Sequence, residues 1–149
     1  AMSAHSEMRM LLTELHPTML ENNPLNKLLE RLSTAFYGRY PSLDISVEAD
    51  EVLHLPTNVK NCFYRITQEA LNNVGKHSGA QYVEVKLKHK ANKLTLSIED
   101  DGHGFDPTSS LTGQGLHFMR ERAEAINANF YIDSEIGEHT VVHLEYEIT

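Results

Sequence analysis

The densest run of chemistry in the chain is Glu99-Asp100-Asp101-Gly102-His103-Gly104-Phe105. Two adjacent carboxylates run into a pair of glycines with a histidine between them. Such a run can bind a metal, make a tight surface turn, or form the floor of a pocket for a flat ring. Strand parity separates the two aspartates. Leu94, Leu96 and Ile98 alternate toward a core, and Asp100 is the next residue on that face. Asp101 falls on the other face with Thr95, Ser97 and Glu99. A carboxylate at the mouth of a core is costly unless something donates to it. Asp-Gly is also a common turn signal, so a plain turn is one reading. The other is that Asp100 accepts a hydrogen bond from an exocyclic amine, such as that of adenine. Gly102 and Gly104 would then let the backbone approach a flat ring and hinge the loop that follows.

Two further stretches carry polar groups at informative spacing. In Gly113-Gln114-Gly115-Leu116 a polar loop enters a helix. Glycines there either end the loop or expose backbone N–H groups at the positive end of a helix, where a phosphate can sit. In Gln68-Glu69-Ala70-Leu71-Asn72-Asn73-Val74-Gly75-Lys76-His77, helical spacing puts Glu69, Asn73 and Lys76 at i, i+4 and i+7, with Asn72 alongside. An ordinary solvated face has the same pattern. A carboxylate, a carboxamide and an ammonium in line could equally position a water, a hard divalent cation and a phosphate.

The elements that must hold these groups follow from hydrophobic periodicity. Residues 5–20 read as a helix with Met8, Leu11, Leu12 and Leu15 apolar, stopped by Pro17. A second helix runs from about Pro24 to Tyr37 and a short strand from Leu43 to Val47. Leu55-Pro56-Thr57 opens the most regular helix, with Val59, Cys62, Phe63, Ile66, Ala70 and Val74 on its buried stripe and Gly75 and Gly79 at its end. Val83, Val85 and Leu87 alternate with charged residues in a half-buried strand. A turn at Lys90–Lys93 leads to the strand of Leu94, Leu96 and Ile98. Phe105 to Gly113 reads as a mobile loop. Leu116, Met119, Ala123 and Ile126 give another amphipathic helix, and strands at Phe130–Asp133 and Val141–Ile148 close the chain. This order predicts a two-layer α/β sandwich, its sheet mixed but mainly antiparallel, with helices on one face.

Composition narrows the classes. A chain of 149 residues, 40% of them hydrophobic, is expected to form one globular domain. No apolar run approaches the ~18–20 residues of a membrane span. The single Cys62 excludes an internal disulfide and suits a reducing, cytoplasmic setting. A net charge of −8 without a basic run argues against nucleic acid as a partner, and no direct membrane contact is expected. It also means that an anionic ligand would need local cations or aligned N–H groups. The nine histidines are scattered, without the spacing of a zinc site.

Taken in order, these stretches resemble the ATP-binding catalytic domain of bacterial two-component sensor histidine kinases. These are members of the gyrase/Hsp90/histidine-kinase/MutL ATPase superfamily, here the branch partnered with helix-turn-helix response regulators. Phe63–Ala80 resembles the N box of that family, Glu99–Phe105 its first glycine box and Gly113–Ile126 its second. The resemblance implies the following roles. Asn73 coordinates Mg²⁺, with Glu69 and Asn72 beside it. Lys76 and His77 lie near the phosphates, Glu69 and Lys76 being the catalytic candidates. Asp100 reads adenine and Thr140 lies near it. Gly102, Gly104 and Phe105 belong to the lid hinge and its loop, and Gly113, Gly115 and Leu116 to the phosphate side. Where the family has Gly-x-Gly-Thr before the last strand, this chain has Gly137-Glu138-His139-Thr140.

By the same resemblance, residues 1–20 are the remnant of the second dimerisation-hairpin helix with its linker, and 21–149 are the catalytic domain. ATP and Mg²⁺ are the implied ligands. The implied partners are the dimerisation domain with its phosphoacceptor histidine and a response regulator with a helix-turn-helix output. The parent protein could be membrane-anchored. The alternatives are a nucleotide-binding scaffold that no longer catalyses, and an ATPase or anti-sigma serine kinase of the same fold.

Overall fold

The computed structural model describes residues 17–104 and 113–149. Residues 5–16 of the helix expected over 5–20, and residues 105–112 of the loop expected from Phe105 to Gly113, lie outside the described residues. Pro17, expected to stop the preceding helix, is the first residue of another: α1 runs Pro17–Asn22. Proline fits the first helical position because the N–H it lacks has no partner there anyway.

Helix α2 (Leu25–Arg39) follows Pro24, whose carbonyl accepts the N–H groups of Lys27 and Leu28 at 3.1 and 3.2 Å. Leu25, Leu28, Leu29, Leu32 and Phe36 recur on one stripe and are buried. Strand β1 (Asp44–Ala49) leads through an irregular segment to α3 (Thr57–Asn73). Pro56 caps α3 as Pro24 caps α2, its carbonyl receiving Val59 and Lys60 N–H at 3.1 Å each. The predicted stripe of α3 holds, with Val59, Cys62, Phe63, Ile66, Ala70 and Val74 all buried. Helix α3 does not run on regularly to its glycines. Val74–Ser78 form a π-turn that ends at Gly79 in the left-handed region, φ +67°.

Strands β2 (Tyr82–Lys90) and β3 (Lys93–Asp100) make a hairpin. Helix α4 (Gly113–Ala125) then precedes the hairpin of β4 (Asn129–Ser134) and β5 (Thr140–Glu147). The five strands lie in the order β1-β2-β3-β5-β4, with β1 parallel to β2 and the other pairs antiparallel. One face carries Val83, Val85, Leu87, Leu94, Leu96, Ile98, Val142 and Leu144 into a core shared with the helices. The other carries charge: Lys88 Nζ lies 2.6 Å from Glu48 and Lys86 Nζ 3.1 Å from Glu84. The mixed sheet with helices on one face is therefore the architecture expected from the alternation of apolar residues. Full burial of side chains such as Phe63, Ile66 and Leu96 contributes about 1.5–3 kcal/mol each.

Candidate functional site

Asp100 ends β3 in the middle of the sheet, between Val83 of β2 and Thr140 of β5. It is 4% exposed, on the core-facing side that parity assigned to it. The Gly102 N–H donates to its Oδ1 at 2.9 Å. No described residue hydrogen-bonds its Oδ2. Burial pushes this carboxyl above its usual pKa. The Gly102 N–H pulls the other way, and the neighbouring Asp101 charge reinforces burial. A buried carboxylate with one oxygen satisfied and the other open is suited to a donor brought by a ligand. Thr140, 8% exposed, adds a hydroxyl at the same level of the sheet, its Oγ1 2.8 Å from Ser134 Oγ.

Asp101 does more than face solvent. Its Oδ1 accepts the N–H groups of Gln81 and Tyr82 at 3.0 Å each, pinning the entry of β2 to the exit of β3. The two adjacent carboxylates thus have different tasks: Asp101 stabilises a chain crossing, and Asp100 is presented to the site.

Gly104 is required by packing rather than by a turn alone. It sits at φ +65°, and a Cβ there would overlap the carbonyl oxygen of Glu135 in the β4–β5 turn. The Gly137 N–H donates to the His103 carbonyl, so the glycine segment is clasped by that turn. On its other side the His103 ring packs over the α-carbon of Gly79. His139 occupies the place of a family glycine, yet it is not among the residues with positive φ. A histidine there carries no left-handed strain.

The helix face and the second glycine run meet in space. A Cβ on Gly115, near the start of α4, would overlap Glu69 Oε1 and lie 3.6 Å from Asn73 Nδ2. Two residues four apart on α3 therefore both face one glycine of α4. Asn73 is exposed and Glu69 half-buried, whereas Asn72 is buried with its Oδ1 unpartnered among the described residues. Of the two amides, Asn73 is the one that opens to solvent. Leu116 is buried in the core and anchors this end of α4.

Lys76 is exposed on the π-turn. The i+7 spacing from Glu69 presumed an α-helix, and the wider π-turn changes the phase after Asn73. Within this turn the Tyr40 ring packs against Gly75, where a Cβ would lie 2.6 Å from it. His77 is in the same turn, but its side chain lies outside the described residues, as does Phe105. Gly102 is buried beside Asp100, and Gly113 is the first residue of α4.

Sequence patterns did not single out Ser134, whose Oγ also donates to the His139 carbonyl at 3.2 Å. Its only sequence signal is its place as the last residue of β4. Among the described residues, no three His, Cys, Asp or Glu side chains cluster as a metal site, and no helix is long and apolar enough to cross a membrane.

The fold matches that of histidine-kinase catalytic domains. A structure titled histidine kinase domain from Erythrobacter litoralis EL346 blue-light activated histidine kinase superposes with a TM-score of 0.75 at 20% identity, covering 84% of this chain and 61% of that one. Residues 58–149 match the family described as histidine kinase-, DNA gyrase B-, and HSP90-like ATPase, and the chain belongs to that family. Among named relatives, the oxygen sensor histidine kinase NreB of Staphylococcus carnosus (strain TM300) is 33% identical over 150 residues, 96% of this chain and 42% of NreB. Sensor protein VraS of Staphylococcus aureus (strain COL) is 36% identical over 129 residues, 86% of this chain and 37% of VraS. The chain thus spans about two fifths of the length of these curated relatives.

Proposed function

We propose that this chain is the ATP-binding catalytic unit of a sensor histidine kinase. It transfers the γ-phosphoryl group of ATP to a histidine on a dimerisation domain, for relay to a response regulator with a helix-turn-helix output, and it works in the cytoplasm. The observation that carries the reading is Asp100: a buried carboxylate, one oxygen on the Gly102 N–H, the other open at the middle of the sheet beside Thr140. Adenine brings an exocyclic amine to such an oxygen. Guanine brings a carbonyl, which would leave the carboxylate unpaired.

The residues around this point divide the work. Asp100 and Thr140 hold the base, while Gly102 fixes the carboxylate. Glu69 turns Oε1 and Asn73 turns its side-chain amide toward Gly115; a carboxylate and an amide oxygen are donors of the hard type that Mg²⁺ takes, so the residue types present fit that ion. When bound, Mg²⁺ neutralises charge on the phosphates. Lys76, exposed on the π-turn, supplies a positive charge and donors for the phosphates, and the family resemblance assigns His77 to them as well. The backbone N–H groups at the Gly113–Gly115 start of α4 face the same ligand end. Little covalent chemistry falls to such a site; positioning and charge neutralisation do most of it.

Incubating the 149-residue chain with γ-labelled ATP and a cognate acceptor domain tests the reading. Acid-labile, base-stable label on the acceptor is the expected result. ATP binding without any transfer would leave a nucleotide-binding scaffold. Label on a serine would make the chain a serine kinase of the same fold.

A further inference from the structure

The π-turn Val74–Ser78 meets a flat ring at Gly75 and another at Gly79, and the two rings come from different elements. Tyr40, at the end of α2, packs on Gly75 and stacks on Phe36, ring centroids 6.3 Å apart. That ring ties the turn to the helix layer. His103 belongs to the glycine segment after β3 and stands at Gly79, where the turn ends at φ +67°. A Cβ on Gly79 would lie 2.5 Å from His103 Nε2 and 2.8 Å from its Cδ2. The imidazole thus fills the space that any other side chain would need, and the left-handed φ favours glycine there as well. His103 is exposed, and a ring at the surface adds little to the stability of the core.

The segment that carries His103 also grips the chain just beyond the turn. Asp101 Oδ1 takes the N–H groups of Gln81 and Tyr82 at 3.0 Å each, and the Tyr82 carbonyl takes the Asp101 N–H at 3.2 Å. On its far side the His103 carbonyl accepts the Gly137 N–H of the β4–β5 turn, which fixes the backbone that bears the ring. Next to it in the chain, the Gly102 N–H holds the Asp100 carboxylate at 2.9 Å. One short segment therefore touches both the base-reading carboxylate and the end of the turn that bears Lys76. We propose that His103 is a positioning residue, its ring a strut that sets the π-turn, and Lys76 on it, at a fixed place relative to Asp100. This role rests on the proposed function, in which Asp100 holds the base and Lys76 serves the phosphates. With the strut in place, the two ends of the site stand in register before ATP arrives, so less of the binding energy goes into ordering the turn. The phosphates gain from this and the base does not.

Titrating the whole 149-residue chain with Mg·ATP and, separately, with adenosine separates the two ends of the site, with amide resonances as the readout. His103→Ala should shift the Gly79 amide resonance and weaken ATP binding by about five- to tenfold. It should leave adenosine binding within about twofold and Tm within about 2 °C. His103→Phe keeps a ring over Gly79 and should hold ATP affinity within about twofold of wild type. Asp100→Asn, by contrast, should weaken both ligands. The proposal is overturned if His103→Ala leaves ATP affinity unchanged, or if it weakens adenosine as much as ATP. It is also overturned if His103→Phe, at unchanged Tm, loses as much as His103→Ala, which would make the imidazole itself a phosphate ligand. A wild-type chain that binds neither ligand would sink the ATP reading and this role with it, whereas wild-type binding that His103→Ala leaves untouched sinks the strut alone.

Discussion

Asp100→Asn isolates the base-reading step. The substitution preserves shape, and the amide oxygen can keep the Gly102 N–H that Oδ1 now accepts at 2.9 Å. What changes is the second atom. An open carboxylate oxygen becomes an NH₂ group facing the exocyclic amine, donor against donor. Loss of a charge-assisted bond costs roughly 1.5–3 kcal/mol, which corresponds to about a ten- to hundredfold weaker Kd for ATP. Stability should move the other way. Burial already disfavours the Asp100 charge, so removing it should leave Tm equal or raised. Titration calorimetry with ATP and GTP, paired with thermal unfolding, reads both effects. Selectivity for ATP over GTP should shrink together with the affinity. ATP affinity unchanged in a folded Asp100→Asn chain would refute the adenine assignment, and a large drop in Tm would show Asp100 to be structural.

Four other outcomes follow from the same geometry. Because the folded pKa of Asp100 is raised, its ionised form is the penalised one, and protonation begins above the usual carboxylate range as pH falls. ATP affinity should therefore weaken on acidification through that raised value, and calorimetry across pH should show the slope vanish in Asp100→Asn. Gly115→Ala should keep or slightly raise Tm, since alanine gains up to about 1 kcal/mol of helix propensity. Its Cβ must push the Glu69 carboxylate aside, so Mg²⁺-dependent nucleotide binding should fall, and equal binding would deny Glu69 and Asn73 a role. Asp101→Ala removes the acceptor of two N–H groups and should cost about 1–3 kcal/mol in denaturant unfolding, while ATP affinity per folded molecule stays within about twofold. Ala91, at φ +54° in the β2–β3 turn, carries left-handed strain; Ala91→Gly should raise Tm by about 2–4 °C without touching nucleotide binding.

The sequence by itself determined what depends on local periods. Alternation along β3 put Asp100 toward the core and Asp101 outward, and the 3.6-residue stripe of α3 put Glu69 and Asn73 together on one side. These hold because pleat and helical turn are properties of the backbone and need no distant partner. Only the tertiary structure decided what depends on how elements cross. Gly115 meets Glu69 because α4 lies against α3, a contact 46 positions apart in sequence that no period encodes. Gly104 must be glycine because the β4–β5 turn presses a carbonyl onto it, and Asp101 is a clamp because Gln81 and Tyr82 begin the adjoining strand. Lys76 shows the limit within a single helix. Its spacing promised one face with Asn73, but the packing of Tyr40 onto Gly75 accompanies a wider turn, and the phase that sequence periodicity assumes ends where that turn begins.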